Sequence, residues 1–97
     1  MYVGILELDV LLGQVDSLKY KRAVLRPVLA RLRRLDVAVT EAGDPDRLRR
    51  ALIGVATVSG DHAQVHRVLD TCERQLAAEV EIELPSAHRR LVGPHDE

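Results

Sequence analysis

The sequence predicts an α+β fold in which two helices cover one face of a four-stranded antiparallel sheet. Apolar residues recur at a period of two in some segments, as in strands, and at the helical period in two longer segments. These segments follow the order strand, helix, strand, strand, helix, strand, which right-handed crossovers fold into a ferredoxin-like βαββαβ sandwich. The 97 residues fit one domain, predicted over 1–92, followed by a flexible C-terminal tail over 93–97.

The first strand is predicted over residues 2–12. Every second residue from Leu6 to Leu12 is apolar, so these side chains share one face of the strand. The opposite face mixes apolar and acidic side chains, namely Val3, Ile5, Glu7 and Asp9.

The first helix is predicted over residues 18–35. Asp16 or Ser17 can cap it, because a short side-chain oxygen accepts a hydrogen bond from an unpaired backbone N–H of the first turn. Pro27 removes one backbone hydrogen bond, but the apolar period continues in phase past it, so we expect a kink rather than an end. The apolar arc consists of Leu18, Val24, Leu25, Val28, Leu29, Leu32 and Leu35.

Two further strands are predicted over residues 37–42 and 49–58, joined by a turn rich in Gly, Pro and Asp. The second of these strands is rich in Val, Ile and Ala, which favours a central place in the sheet.

A second helix is predicted over residues 62–79, after a Ser-Gly-Asp cap. The last strand is predicted over 80–84, with an interruption at Pro85. It can resume over 87–92 as an edge strand after a bulge, because sheet edges tolerate proline. The apolar stripe of the second helix consists of Val65, Val68, Leu69, Cys72 and Leu76.

The composition excludes several classes of function. Two Tyr are present without Phe or Trp, which excludes an aromatic platform for stacking bases, and the net charge of −1 supplies no overall basic field. Cys72 is the single cysteine, so neither an intramolecular disulfide nor a multi-cysteine zinc site is expected. No apolar run approaches the roughly 18 residues of a membrane helix, and the first residues lack the basic flank of a signal peptide. We therefore expect a cytoplasmic protein with no membrane, metal or cofactor.

The candidate binding site is basic. Seven Lys and Arg residues and no acid lie within the predicted first helix. On a helical wheel Lys19, Arg22, Arg26 and Arg33 form a stripe about 60° wide beside the apolar arc, where we expect them to be exposed on a packed helix. Together with Lys21 they form a candidate site for nucleic acid or a small anion, because the N-terminus of a helix favours a bound anion.

Three interpretations of these basic residues are open. They can contact phosphate or RNA, bind a protein with an acidic surface, or form an ordinary solvated helix face. Arg47, Arg49 and Arg50 extend the patch only if the third strand points them in the same direction.

Other reactive side chains have weaker patterns. His62 and His66 have metal-ligand spacing on a helix, but no third ligand is evident, and exposed helix histidines are common. Cys72 lies on the apolar stripe and is expected to be a small buried hydrophobe rather than a nucleophile. Glu7 and Asp9 share a strand face without a recognisable partner, so we expect no catalytic residues.

The sheet face without helices is a second candidate surface. Val3 and Ile5 lie on it, and one face of the third strand must join them, either the odd-numbered residues from Ala51 or the even-numbered residues from Leu52. Such an apolar strip suits sheet-to-sheet homodimerisation. The alternative is a monomer in which residues 87–92 fold over the strip.

Three stretches carry a family resemblance: Tyr2–Val10, Ser17–Arg22 and Arg50–Ala56. The second, with the pattern Ser-Leu-Lys-x-Lys-Arg, is the most specific. Over roughly residues 1–84 the chain resembles the YlxP-like (DUF503) family of small bacterial proteins. The resemblance implies the same ferredoxin-like fold and genes near those of translation and ribosome maturation, and it implies no catalytic residues.

Three function hypotheses follow. The first is a non-enzymatic RNA- or ribosome-associated module that acts through the first helix. The second is a homodimeric module that binds a protein partner or a small anion and has no nucleic-acid role. The third is an enzyme, for which the sequence shows no reactive constellation.

Overall fold

The computed structural model describes residues 1–94 and has the predicted α+β architecture. The strands form one antiparallel sheet in the order β2-β3-β1-β4, and both helices pack on one face of it. Residues 95–97 of the predicted tail lie outside the described residues. The elements are β1 (Tyr2–Leu11), α1 (Leu18–Arg33), β2 (Ala38–Glu41), β3 (Arg50–Ser59), α2 (His62–Ala77) and β4 (Glu83–Val92).

The two central strands supply most of the buried face of the sheet. Leu6 lies opposite Val55 and Leu8 opposite Ile53, and all four side chains are at most 2% exposed. This confirms the alternation in β1 and places the even-numbered residues of β3 on the other face. Such burial contributes about 1.5–3 kcal/mol for each large apolar side chain.

Gly4 lets α2 lie close to β1. A Cβ atom at this position would lie 2.4 Å from Val65 Cγ1 and 2.9 Å from Leu69 Cδ1. Both distances are shorter than carbon atoms tolerate, so the missing side chain is a packing requirement of this helix–strand contact.

The prediction for the last strand is partly wrong. Residues 80–82 belong to the connection after α2, where Ile82 N–H donates to the Glu79 carbonyl. β4 begins at Glu83 and runs past Pro85 along the sheet edge. Its register against β1 shifts where Pro85 lies, so the predicted bulge and edge strand are confirmed.

Both helices end two residues earlier than predicted. The N–H of Leu35 donates to the Leu32 carbonyl, which is the tighter turn common at helix ends, and Asp36 then reverses the chain with φ of 59°. Leu35 still packs against the core, which explains why the apolar period overruns the helix. α1 continues through the exposed Pro27, as the unbroken apolar period predicts.

Candidate functional site

α1 lies over the β2 side of the sheet. Leu25, Val28 and Leu32 face the core and are at most 4% exposed. The helix begins after Ser17, whose Oγ accepts a hydrogen bond from the backbone N–H of Tyr20 at 3.1 Å. A capped and packed helix of this kind holds its exposed side chains on a rigid backbone.

The basic stripe, defined as Lys19, Arg22, Arg26 and Arg33, is exposed along the outer flank of α1. Within residues 1–94, the charged groups of Lys19, Arg22 and Arg26 have neither an ion pair nor a hydrogen bond with the rest of the chain. Arg33 Nη2 donates to the Val39 carbonyl at 3.4 Å, so this end of the stripe is tethered to β2. Three cations of the stripe are therefore free to meet an external anion.

Lys21 does not belong to this surface, although the sequence pattern placed it among the candidate site residues. It is 2% exposed, and its Nζ donates to Glu41 Oε2 at 2.7 Å, the Pro45 carbonyl at 3.0 Å and the Arg47 carbonyl at 2.6 Å. Its three donors are thus used inside the protein. Lys21 ties the loop of residues 42–49 to α1.

Lys21 follows the period of the core-facing residues, preceding Leu25, Val28 and Leu32 by four, seven and eleven positions. A helical wheel therefore contains the information that the side chain is buried. Its charge led the sequence reasoning to count it with the exposed basic residues.

The remaining basic residues of the helix region lie elsewhere. Arg31 forms an ion pair with Glu79 on the flank that faces the end of α2. Arg49 Nε donates to the Val15 carbonyl at 3.4 Å. Arg47 and Arg50 line a hollow together with Asp9 and Asp44. These side chains thus have acidic or backbone neighbours of their own within residues 1–94.

A groove runs beside the basic stripe, between α1 and the loop of residues 42–49. Its volume is about 180 Å³. Sequence reasoning missed it, because the two walls are about 20 residues apart in the chain and no local pattern links them. The groove is lined by Leu18, Lys21, Arg22, Leu25, Arg26, Leu29, Glu41, Pro45 and Asp46.

The free sheet face is the side of the sheet without helices. The even-numbered residues of β3 lie on the free sheet face, because Ala51, Ile53 and Val55 are buried on the other side. Residues 87–92 lie within β4 at the edge of the sheet, as predicted for an edge strand, so the alternative in which they fold over this face is wrong. The face carries Val3, Ile5, Glu7, Asp9, Leu52, Gly54, Ala56, Val58, Ser86, His88, Arg90 and Val92.

The histidine pair lies at the start of α2. The ring centroids of His62 and His66 are 4.8 Å apart, and Tyr2 contacts His62 edge-on at 5.3 Å. His66 Nδ1 lies 3.3 Å from Arg89 Nη1. Across residues 1–94, no three His, Cys, Asp or Glu side chains are grouped so that they could hold a metal ion.

Cys72 is completely buried in the core, which agrees with its position on the apolar stripe of α2. Burial raises the pKa of the Cys72 thiol above its ordinary value, and the charge of Arg89 opposes that rise. On the free sheet face, Ser86 Oγ donates to Asp9 Oδ2 at 2.5 Å, while Glu7 is exposed. None of these groups forms a nucleophile–base pair that points into the groove.

The fold and the site define a class: a two-layer α+β protein that presents a basic helix next to a narrow groove. A family model described as protein of unknown function (DUF503) matches residues 3–89. The uncharacterized protein YlxP of Bacillus subtilis (strain 168) is 34% identical over 68 residues, which cover 69% of this chain and 74% of the relative. The chain belongs to the DUF503 family.

A solved structure supports the architecture alone. The de novo designed protein Foldit4 superposes with a TM-score of 0.57 at 14% identity, covering 96% of this chain and 98% of the designed one. Within residues 1–94, none of the helices is both long and apolar enough to cross a membrane.

Proposed function

We propose that this protein is a non-enzymatic cytoplasmic module that binds RNA, including the RNA of a ribosome, through the basic stripe of α1. The observation that carries the proposal is that Lys19, Arg22 and Arg26 are exposed and have no ion pair within residues 1–94. The chain has 15 acidic and 14 basic side chains, so internal pairing could have neutralised every cation. These three stay unpaired and exposed on one flank of a packed helix.

The arrangement suits phosphate contacts. The backbone that carries these cations is already ordered, so binding costs only the freedom of the side chains, and each phosphate they neutralise releases condensed counterions from the RNA. Three contacts to a single strand give a slope of about −2 in a plot of log K against log salt, and participation of Arg33 brings it to about −3. This salt dependence is modest beside that of proteins that make six to ten phosphate contacts.

The test uses a short, fluorescently labelled, single-stranded RNA of mixed sequence and measures its anisotropy at several salt concentrations. The double variant Arg22→Glu/Arg26→Glu is expected to lose most of the affinity, and its remaining salt slope is expected to fall by more than 1. The matched control is Arg67→Glu/Arg74→Glu, which reverses two exposed arginines on α2 and gives the same net charge.

Circular dichroism must show that both variants are folded. Equal loss of binding in both variants would mean that only overall charge matters, and unchanged binding in the α1 variant would show that the basic stripe is not the site. Either result overturns the proposal.

A homodimer through the free sheet face is the second candidate, favoured by one row of side chains. Val3 pairs with Val58 on one side and with Val92 on the other, so three valines lie side by side across the sheet. Val58 is 61% exposed. An apolar row of this kind can pack against the same row of a second copy about a twofold axis.

Light scattering after size exclusion tests the dimer. The wild-type protein is expected to elute with the mass of two chains and Val58→Glu with the mass of one. Val80→Glu is the control, because Val80 is 99% exposed in the connection after α2 and lies off the free sheet face. A single-chain mass for the wild type at micromolar concentration overturns this candidate.

A further inference from the structure

The groove between α1 and the loop of residues 42–49 has two chemically different walls. The helix wall has an apolar floor of leucines, among them Leu18 and Leu29, with the guanidinium groups of Arg22 and Arg26 on its rim. The opposite wall consists of Pro45 and the Asp46 carboxylate from the loop and of the carboxylate of Glu41, the last residue of β2.

The groove is held open by Lys21. Its hydrogen bonds to Glu41, Pro45 and Arg47 fix the loop wall at a set distance from the helix. The cavity is therefore a preformed feature and not a gap between two independent segments, and preformed sites lose less entropy when a ligand binds.

The charged groups that line the groove without a partner indicate what kind of ligand it can bind. Arg22 and Arg26 are free to hold an anion or to stack on a flat ring. The backbone N–H of Asp46 donates to Asp44 Oδ1 at 3.0 Å, whereas the Asp46 carboxylate has no hydrogen bond or ion pair within residues 1–94. The site therefore offers an apolar floor, two cations and an acceptor of N–H groups.

A nucleotide matches all three features. Its base has apolar faces, its pairing edge carries N–H groups, and its phosphate is anionic. The volume of about 180 Å³ lies below the roughly 300–1,000 Å³ of pockets that take drug-sized ligands, so the groove suits one base. Guanine presents two adjacent N–H groups on its pairing edge, which complement a carboxylate better than the single imino group of uracil.

We propose that the groove binds one unpaired guanine, with its pairing edge on Asp46, its face on the leucine floor, and its phosphate on Arg22 and Arg26. The proposal rests on the proposed RNA-binding function and adds base selectivity to it. The basic stripe supplies affinity that does not depend on sequence, and the groove supplies the preference.

The experiment compares a labelled oligouridine RNA with the same RNA carrying one central guanosine, at one salt concentration. The wild-type protein is expected to bind the guanosine RNA about tenfold more tightly, within the usual discrimination of a bidentate base contact. Replacing the guanosine with inosine, which lacks the 2-amino group, should remove most of this preference.

Asp46→Asn is expected to abolish the preference for the guanosine RNA. Its affinity for oligouridine should be unchanged or slightly raised, and the salt slope should stay unchanged. Asp36→Asn is the matched control. It removes one exposed carboxylate outside the groove, at a residue with φ of 59° where asparagine is well tolerated.

The outcomes separate the two proposals. Equal binding of both RNAs, with affinity still dependent on Arg22 and Arg26, overturns the guanine proposal and keeps the RNA-binding function. A preference that persists in Asp46→Asn also overturns it. If neither RNA shows binding that depends on Arg22 and Arg26, the RNA-binding function itself is wrong.

Discussion

Substitution of the buried lysine, Lys21→Met, should destabilise the protein strongly. Methionine has nearly the same length and keeps the apolar contacts of the side chain, but it removes three hydrogen bonds from an ammonium group. It leaves Glu41, which is 21% exposed, without its cation. The carbonyls of Pro45 and Arg47 lose their partner as well.

The magnitude follows from these contacts. Removing one partner of a buried ion pair costs about 3–5 kcal/mol. The partial exposure of Glu41 and of the loop of residues 42–49 lets water replace some of the lost bonds, which lowers the expected loss to about 2–3 kcal/mol. For a chain of 97 residues this corresponds to a fall in Tm of about 10–20 °C.

Urea unfolding followed by circular dichroism measures the effect, with Lys19→Met as the control. Both substitutions remove one lysine charge from the same turn of α1. Lys19 is exposed and unpartnered, so its loss should change the free energy of unfolding by less than about 0.5 kcal/mol. If both variants unfold at the same urea concentration, Lys21 does not hold the loop and the reasoning is refuted.

Two further predictions concern the core. Gly4→Ala should lower the free energy of unfolding in urea by about 1–3 kcal/mol, because the new methyl group meets Val65 and Leu69. Gly54→Ala should lower it clearly less, since the nearest neighbour of its methyl group would be 3.4 Å away. Equal losses in the two variants would contradict the packing argument. Native Cys72 should react with a thiol reagent about 10³-fold more slowly than the urea-unfolded chain at neutral pH, and rapid native labelling would contradict its burial. Folding raises the pKa of the Cys72 thiol, so the buried neutral thiol contributes stability below about pH 9. This contribution is lost at higher pH, because the thiol of the unfolded chain then ionises. The free energy of unfolding should therefore fall less for Cys72→Ala than for the wild type between about pH 8 and about pH 10.

The sequence predicted the strand and helix order because alternation and helical period are local properties of the chain. The predicted elements were too long where buried residues continue beyond the end of a helix or before the start of a strand. Leu35 packs on the core after α1 has ended, and Ile82 is buried in the connection before β4 begins. An apolar pattern reports which side chains are buried, and burial alone does not show whether the backbone is helix, strand or turn.

The candidate site was less predictable for a different reason. The exposure of Lys19, Arg22 and Arg26 followed from the wheel, since each lies outside the apolar arc. The groove depends on Asp46, which the fold brings opposite α1 from a distant loop. A contact between distant segments produces no periodic pattern in a single sequence. It follows from the pairing of β2 with β3 and from the geometry of the loop that joins them.

Some side chains of the stretch Ser17–Arg22 stabilise the fold, and others line the groove. Ser17 caps the helix, Lys21 ties down the loop, and Leu18 and Arg22 line the groove. Substitution of Lys21 should therefore weaken the proposed RNA recognition only indirectly, by releasing the loop wall that carries the Asp46 carboxylate. The proposed guanine preference would then fall, while the salt slope, which depends on the exposed cations, would stay unchanged. Substitution of Lys19 should do the reverse, because that residue takes part in neither the loop contact nor the groove.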